Sequence, residues 1–118
     1  MRGIGIDLCS IERMEKCLNE AFLCRYYTQE ERAYLEARGK MNVQSAAAMF
    51  AAKEAYLKAI GAGIGEGVAL AEIGVHHAPG GAPSYVLTGA ALERLGGGQA
   101  FLSLTHEAGV AAAVCIIE

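Results

Sequence analysis

The amino-acid sequence predicts a single α+β domain over residues 1–118, with helices mainly in the first half and a small antiparallel sheet in the second. Hydrophobic residues make up 53% of the chain and charged residues 19%, a balance that allows a buried core and excludes disorder. An alanine-rich stretch over 42–60 predicts one long helix. Two β-like segments close the chain, at 101–106 and 110–117, and the short turn between them is typical of a hairpin.

The first half begins with a strand and continues in helices. Residues 3–8 open with alternating glycine and isoleucine, which favours a strand whose backbone packs closely on a neighbour, and Asp7 lies near its end. Ser10 opens a helical pattern, because apolar residues follow it at spacings of three and four. Thr28 and Glu31 form a capping-box pattern, which predicts the start of a second helix.

The second half is predicted to form strands with one short helix between them. Residues 73–77 and 85–87 predict two strands that a Pro-Gly-Gly turn connects. Residues 88–95 predict the short helix, and the three glycines at 96–98 end it. Apolar and polar side chains then alternate over 101–106, as in a half-buried strand.

Composition excludes several function classes. Ten Lys and Arg against thirteen Asp and Glu give a net charge of −3, whereas nucleic-acid binders are usually basic. No apolar run reaches the roughly 18 residues of a membrane span, and the N-terminus lacks a secretory signal pattern. The cysteines have no zinc-site spacing, which favours reduced, mostly buried thiols in a cytoplasmic protein. These cysteines are Cys9, Cys17, Cys24 and Cys115.

Glycine is unusually frequent, with 15 in 118 residues, or about twice the average share. Four of these glycines lie within 61–67, directly after the long helix. A glycine run lets the backbone approach a phosphate and present N–H groups to it, but glycine also ordinarily ends helices. The run lacks the context of a Rossmann or Walker A loop, so both interpretations stay open.

Candidate chemistry centres on Glu54 and Lys58, which lie four residues apart on one face of the long helix. Such a pair is ordinarily a weak surface ion pair, but this helix is otherwise nearly uncharged, and buried charges need partners. Asp7 is either a cap or turn residue or an oxygen ligand, and with Glu54 it would supply the carboxylates that Mg²⁺ typically takes. His106, at a strand end, is a donor for phosphate oxygens.

Three motifs resemble those of the holo-acyl-carrier-protein synthases, the small 4′-phosphopantetheinyl transferases. The first is residues 3–7 (Gly-Ile-Gly-Ile-Asp), the most specific is residues 50–61 (Phe-Ala-Ala-Lys-Glu-Ala-Tyr-Leu-Lys-Ala-Ile-Gly), and the last is residues 103–106 (Ser-Leu-Thr-His). They occur in the family's order and near its spacing, over nearly the whole chain. The resemblance implies the 4′-phosphopantetheinyl transferase-like fold and a homotrimer with each site at a subunit interface.

The implied activity transfers the 4′-phosphopantetheine arm of coenzyme A to a serine of apo acyl carrier protein and releases adenosine 3′,5′-bisphosphate. By resemblance, Asp7 and Glu54 are the Mg²⁺ ligands, and Glu54 is the best candidate to accept the serine proton, directly or through a water. Lys58 stabilises the charge on the leaving bisphosphate. His106 completes the catalytic set by holding phosphate oxygens.

The resemblance also implies a wider set of binding residues. The coenzyme A contacts are Lys58, Gly61, Gly63, Gly65, Pro83, Ser103, Thr105 and His106. An acidic carrier protein needs a local basic patch on this net-negative chain, for which Arg13 matches a family position and Arg25 and Lys16 lie nearby. Two positions depart from the pattern, since Met49 and Ala82 stand where many members have a basic residue.

Two other function classes stay open on the residues alone. A metal-dependent phosphohydrolase would act on coenzyme A or a nucleotide with water as acceptor, and would release the bisphosphate without any carrier. A non-catalytic module would only bind coenzyme A or the carrier, which the intact Asp7, Glu54, Lys58 and His106 argue against. Carriers of fatty acid synthesis and of polyketide synthesis are both compatible with the sequence.

Overall fold

A computed structural model describes residues 1–63 and 66–118 of the chain. Within these residues the helices are α1 (Ile11–Cys17), α2 (Glu20–Tyr26), α3 (Gln29–Ala37), α4 (Asn42–Ala59) and α5 (Gly89–Leu95). The strands are β1 (Gly3–Ser10), β2 (Ile73–His77), β3 (Pro83–Leu87), β4 (Ala100–Glu107) and β5 (Val110–Ile117). Short 3₁₀ turns lie at Gly39–Met41 and Leu70–Glu72.

Two antiparallel sheets carry the strands. In the first, the order is β1-β5-β4, so that the first and last strands of the chain pair along their whole length, from Gly3 opposite Ile117 to Ser10 opposite Val110. β4 and β5 form the hairpin that the sequence predicts. β2 and β3 form the second, two-stranded sheet. The α+β fold class is confirmed, and the N-terminal strand completes the sheet formed by the C-terminal half.

Helix α4 lies directly on β1 and β5 and forms the centre of the core. β1 has glycine where it meets the helix: a Cβ atom on Gly5 would lie 1.9 Å from the carbonyl oxygen of Ala55, and one on Gly3 would lie 2.2 Å from that of Ala59. Because alanine and glycine line this contact, the two backbones touch. The close backbone packing predicted for the first strand is confirmed.

The opposite face of the three-stranded sheet is apolar and uncovered. Side chains alternate along a strand, so this face carries Ile4, Ile6 and Leu8 of β1, which are 57%, 64% and 65% exposed. Phe101 of β4 lies on the same face and is 47% exposed. Large contiguous apolar patches of this kind usually mark an interaction surface.

Most predicted elements are present, but helix α2 was not predicted. Asn19 caps it by accepting a hydrogen bond from the Phe22 N–H (2.8 Å), and none of its residues is buried. Phe22, Leu23 and Tyr26 pack against the core at helical spacing, so the sequence carries a short periodic signal that the prediction missed. The capping box of Thr28 and Glu31 is confirmed at the start of α3.

The cysteine prediction is correct in part. All four thiols are free, but only Cys9 and Cys115 are buried, whereas Cys17 and Cys24 are exposed on the short helices. Cys17 and Cys24 lie on the solvent-facing sides of α1 and α2, outside the core. Among the described residues, no helix combines the length and apolarity that crossing a membrane requires.

Candidate active site

Asp7 and Lys58 meet where the close contact between β1 and α4 ends. Asp7 follows the glycines of β1, and its side chain is 17% exposed. The Lys58 Nζ lies 3.0 Å from Asp7 Oδ1 and also donates to the carbonyl oxygen of Ile6 (3.0 Å). Lys58 is therefore held on the strand by two hydrogen bonds, and its ion pair is with Asp7 rather than with Glu54 on its own helix.

Glu54 faces the same place from the preceding turn of α4. Partial burial raises the pKa of its carboxyl above the ordinary value of 4.5, the nearby negative charge of Asp7 raises it further, and the positive charge of Lys58 lowers it. The structure thus brings together three residues from two separate motifs. We call Asp7, Glu54 and Lys58 the Asp7 cluster.

The chemistry of the Asp7 cluster fits a magnesium ion. Mg²⁺ typically binds one or two carboxylates and completes its octahedron with waters and substrate phosphates. Asp7 and Glu54 supply two carboxylates whose charges oppose one another, a repulsion that a cation between them would relieve. Among the described residues no group of three or more His, Cys, Asp or Glu is placed to hold a metal ion by itself.

Arg13 lies in the neighbourhood of this cluster. Burial raises the pKa of the Cys9 thiol, with further increases from the charges of Asp7 and Glu54, while the charge of Arg13 lowers it. All three charges therefore act on one thiol at the end of β1. Arg25, the other predicted carrier contact, is exposed on α2, with its guanidinium 5.3 Å from the ring centroid of Tyr26.

The glycine run at the end of α4 has a structural role. Gly61 has a φ of +75° and donates to the Lys58 carbonyl (3.1 Å), while Ala62 donates to that of Leu57 (2.8 Å). These two bonds form a Schellman motif, in which glycine ends the helix in a left-handed conformation. The Gly63 N–H donates to a Glu66 carboxylate oxygen (2.6 Å). The predicted contact Gly65 lies outside the described residues.

His106 lies at the far edge of the sheet, on β4. The Gln44 side-chain amide donates to His106 Nδ1 (2.7 Å), which places the ring proton on Nε2 and leaves that N–H for a ligand. Ser103 and Thr105 alternate with His106, so their side chains are directed to the exposed sheet face and not to the side that carries α4. Within one chain the structure does not group the Ser103 hydroxyl with the imidazole, although Thr105 contributes to the wall of a cavity beside His106.

A cavity of about 310 Å³ opens beside His106, and we call it the His106 cavity. Of the predicted coenzyme A contacts, Pro83, Thr105 and His106 line it. Its other polar walls were not predicted as functional, because they come from segments that only folding brings together. They are Tyr34, Arg38, Gln44, Ser45 and His77.

The Asp7 cluster and the His106 cavity lie at opposite edges of the three-stranded sheet. Asp7 is on β1 and His106 is on β4, with β5 between them, which separates their backbones by two strand spacings, or about 10 Å, plus two residues along the strands. Helix α4 covers this face of the sheet between the two. One chain therefore carries two separate groups of predicted site residues.

A buried ion pair, also unpredicted, fixes the chain that follows the glycine run. Lys53 and Glu31 are both fully buried, with Nζ and Oε1 2.7 Å apart. Lys53 also donates to the carbonyl oxygens of Leu70 (3.1 Å) and Ile73 (2.9 Å), and Glu31 accepts from the Val75 N–H (2.9 Å). The pair joins α3, α4 and the start of β2, and each charge has the partners that burial demands.

Comparisons with known proteins agree with this fold. The profile of the 4′-phosphopantetheinyl transferase superfamily matches residues 3–115. A holo-[acyl-carrier-protein] synthase of Myxococcus xanthus is 44% identical over 124 residues, covering all of this chain and 95% of the relative. One of Treponema denticola is 43% identical over 120 residues, covering 98% of this chain and 97% of the relative.

Solved structures give the same result. The holo-[acyl-carrier-protein] synthase of Neisseria meningitidis superposes with a TM-score of 0.86 at 35% identity, covering all of this chain and 98% of that one. That of Helicobacter pylori, crystallised in complex with coenzyme A, has a TM-score of 0.85 at 33% identity, covering 98% and 99%. The chain belongs to the 4′-phosphopantetheinyl transferase superfamily. The predicted resemblance to its holo-acyl-carrier-protein synthases, and the prediction of an enzyme of that kind, are confirmed.

Proposed function

We propose that the chain transfers the 4′-phosphopantetheine arm of coenzyme A to a serine hydroxyl of an apo acyl carrier protein. The observation that carries the proposal is the convergence of Asp7, Glu54 and Lys58 from two motifs on one spot. In the reaction the serine oxygen forms a bond to the phosphorus of the arm. The bond from that phosphorus to the bridging oxygen of the pyrophosphate breaks, and adenosine 3′,5′-bisphosphate leaves.

Each residue of the Asp7 cluster has a distinct role in this proposal. Glu54 accepts the serine proton, for which its raised pKa makes it a stronger base than an ordinary glutamate. Lys58 has three N–H donors, of which two are held by Asp7 and the Ile6 carbonyl, so the third can reach the leaving phosphate oxygen. Asp7 fixes the position of the ammonium group.

Asp7 and Glu54 would also hold the magnesium ion. When bound, Mg²⁺ offsets the negative charge of the pyrophosphate. Asp7 need not move to bind the ion, because β1 already holds it near Glu54. Variants that lack either carboxylate are therefore expected to be inactive even when Mg²⁺ is present.

Mass spectrometry of the carrier protein tests the proposal. With coenzyme A and Mg²⁺, the carrier is expected to gain about 340 Da, the mass of the transferred arm. A chelator and the Glu54→Gln substitution should each abolish the gain, whereas Glu93→Gln, on the exposed face of α5, should not. Bisphosphate release without a carrier would instead indicate a phosphohydrolase, and no gain with an active control enzyme present would refute the transfer.

We further propose that the chain acts as a homotrimer in which each site combines the Asp7 cluster of one subunit with the His106 cavity of its neighbour. The exposed apolar sheet face supports this assembly, because burying Ile4, Ile6 and Leu8 would stabilise contact between copies. The separation of the two groups by α4 supports a shared site.

Subunit mixing tests the shared site. Glu54→Gln and His106→Ala chains are each expected to be inactive, whereas unfolding and refolding them together should restore activity in about one quarter of the sites by random assembly. A monomer in solution, or the absence of recovery after mixing, would contradict the proposed assembly.

Carrier docking and cell compartment complete the proposal. The charges of Arg13, Asp7 and Glu54 all act on the Cys9 thiol, so an acidic carrier bound to Arg13 and Arg25 would bring its serine toward Glu54. Reversing the charge of Arg13 should raise the KM for the carrier while leaving the KM for coenzyme A unchanged. Four free thiols agree with a cytoplasmic protein, where thiols stay reduced.

A further inference from the structure

The buried ammonium group of Lys53 uses all three of its N–H donors. They are directed at Glu31 Oε1 (2.7 Å) and at the carbonyl oxygens of Leu70 (3.1 Å) and Ile73 (2.9 Å). The second oxygen of Glu31 accepts from the Val75 N–H (2.9 Å). Because both side chains are fully buried, no water can replace a bond that is broken. Lys53 therefore cannot turn with α4 unless α3 or the start of β2 moves with it.

The opposite side of α4 has no comparable directional contact. There the helix meets β1 through small residues, with the backbone of Gly5 against that of Ala55. Such a smooth contact fixes the distance between the two elements, but it does not interlock side chains that would oppose rotation. The ion pair of Lys58 and Asp7 lies on this side, but the lysine is 55% exposed, and exposed pairs stabilise little.

Lys53 also has more buried hydrogen bonds than any other described side chain of α4. Tyr56, the other buried polar side chain of the helix, makes one, from its hydroxyl to the carbonyl oxygen of Ala91 (2.7 Å). Hydrogen bonds to a charged group are also stronger than neutral ones. Lys53 is therefore the strongest directional restraint on the rotation of α4 about its own axis.

Glu54 is the next residue of the helix, so its direction follows this rotation. Successive residues point about 100° apart, and while Lys53 faces α3 and β2, Glu54 faces Asp7. Side chains extend about 5–6 Å from a helix axis, so a rotation of about 10° would move the Glu54 carboxylate by roughly 1 Å. A shift of about 1 Å at a reacting group can lower a rate by roughly 100-fold.

We propose that Lys53 is a positioning residue for catalysis, which fixes the rotation of α4 and so directs Glu54 at the serine hydroxyl of the carrier. Glu31 supplies the counter-charge that makes the buried ammonium tolerable. The inference rests on the proposed function for the role of Glu54, but the orientation of α4 can be measured without any reaction. It predicts that activity follows the hydrogen bonds of Lys53 and not the free energy of unfolding.

Three variants separate positioning from stability, each assayed where urea unfolding shows it to be folded. Glu31→Gln removes the counter-charge and should be destabilised, but it keeps an oxygen for Lys53 and should retain a kcat near the wild type. Lys53→Met combined with Glu31→Gln buries no charge, but the carbonyl oxygens of Leu70 and Ile73 lose their donor. Its kcat should fall roughly 10- to 100-fold, with little change in the KM for coenzyme A. Tyr56→Phe is the matched control, because it removes a buried hydrogen bond of α4 without touching Lys53, and its kcat should not change.

The kinetic results can overturn the assignment in three ways. A wild-type kcat in the double variant would make the ion pair purely structural. A large loss of kcat in Glu31→Gln would show that activity follows stability, and this result decides the matter even if the double variant fails to fold. An equal loss in Tyr56→Phe would show that any weakening of the core has the same effect.

Crystal structures of the wild type and the double variant supply a readout that needs no catalysis. The Glu54 carboxylate is expected to shift relative to Asp7 by about 1 Å in the double variant. An unchanged orientation of α4 would overturn the assignment. A rotated α4 in the variant of a chain that transfers nothing would refute the proposed function while supporting the control of α4 by Lys53.

Discussion

The contact between β1 and α4 allows the sharpest prediction, through the substitution Gly5→Ala. The added Cβ would lie 1.9 Å from the Ala55 carbonyl oxygen and 2.8 Å from the Ala59 backbone nitrogen. Both are main-chain atoms of a helix, so no side chain can rotate away. Restoring ordinary contact requires the strand and the helix to separate by roughly 1.5 Å, which is a displacement of elements rather than a local adjustment.

This displacement should reduce both stability and activity. Overpacking a core ordinarily costs about 1–3 kcal/mol, and a clash between two backbones belongs at or above the upper end of that range. Asp7 lies two residues beyond Gly5 on the same strand face, and Glu54 precedes Ala55 on the helix. Separation therefore moves apart the groups that the Lys58–Asp7 ion pair joins at 3.0 Å. A misplacement of about 1 Å can lower a rate by roughly 100-fold, and we expect a loss of that order.

Urea unfolding and the carrier mass-shift assay measure the two effects. Gly80→Ala is the matched control, because Gly80 has open space around it and no positive φ, so the change should stay within about 0.5 kcal/mol. If Gly5→Ala unfolds at the wild-type urea concentration, the backbone contact is not close in solution. If it is destabilised but fully active at a temperature where it remains folded, the spacing of β1 and α4 does not position the catalytic groups.

Three further outcomes are expected. Lys53→Met should lower the free energy of unfolding by about 3–5 kcal/mol, because it leaves the Glu31 carboxylate buried without its cation, and Glu31→Gln in the same chain should recover part of that loss in urea titrations. With a chelator present, Glu54→Gln should have a larger free energy of unfolding than the wild type at neutral pH. A carboxyl whose pKa is raised in the folded state destabilises the protein once the pH rises through that pKa, and glutamine avoids this loss. The difference should vanish below pH 4.5, the ordinary pKa. A thiol reagent should modify Cys17 and Cys24 in the native protein, with the two buried thiols reacting only after unfolding, as peptide mass mapping would show.

The sequence predicts those parts of the fold whose signals are local. The long helix α4 contains the alanine-rich run, and the hairpin of β4 and β5 follows alternating and apolar segments joined by a short turn. The Thr28–Glu31 capping box needs only four consecutive residues. Helix α2 was missed although Phe22, Leu23 and Tyr26 recur at helical spacing, because a seven-residue segment gives only a short pattern.

The glycines show that amino-acid composition does not predict contacts between distant parts of the chain. The run at 96–98 ends α5 as predicted, but all three residues also have positive φ, and a Cβ on Gly98 would lie 2.3 Å from the carbonyl oxygen of Glu118. Arg2 donates to the carbonyl oxygens of Leu95 (3.0 Å) and Gly97 (2.5 Å) across this turn. The constraint comes from the two chain ends meeting there, which no local pattern indicates.

The candidate site also contains both residues that a local sequence pattern identifies and residues that only the fold identifies. Asp7, Glu54 and Lys58 lie in recognisable sequence motifs. The contacts of Gln44 and Arg38 are with residues that come close only in the folded chain. Gln44 meets a histidine 62 positions away, and Arg38 lies beside a cavity closed by β3 and β4. Because a polar side chain on a helix surface is ordinarily solvated, residue type alone gives no reason to single these two out.

Sheet order supports the proposal that the three motifs form a site shared between chains. β5 separates β1 from β4, so Asp7 and His106 occupy the two outer strands, and α4 fills the surface between them. Under the proposed homotrimer, the contact that buries Ile4, Ile6 and Leu8 is also the contact that brings one subunit's Asp7 cluster to its neighbour's His106 cavity. Assembly and catalysis would then depend on the same strand: one face of β1 buries apolar area between subunits, while the other carries the glycines that place Asp7. A charged residue at Ile6 would therefore reduce activity without altering any group that contacts the substrate.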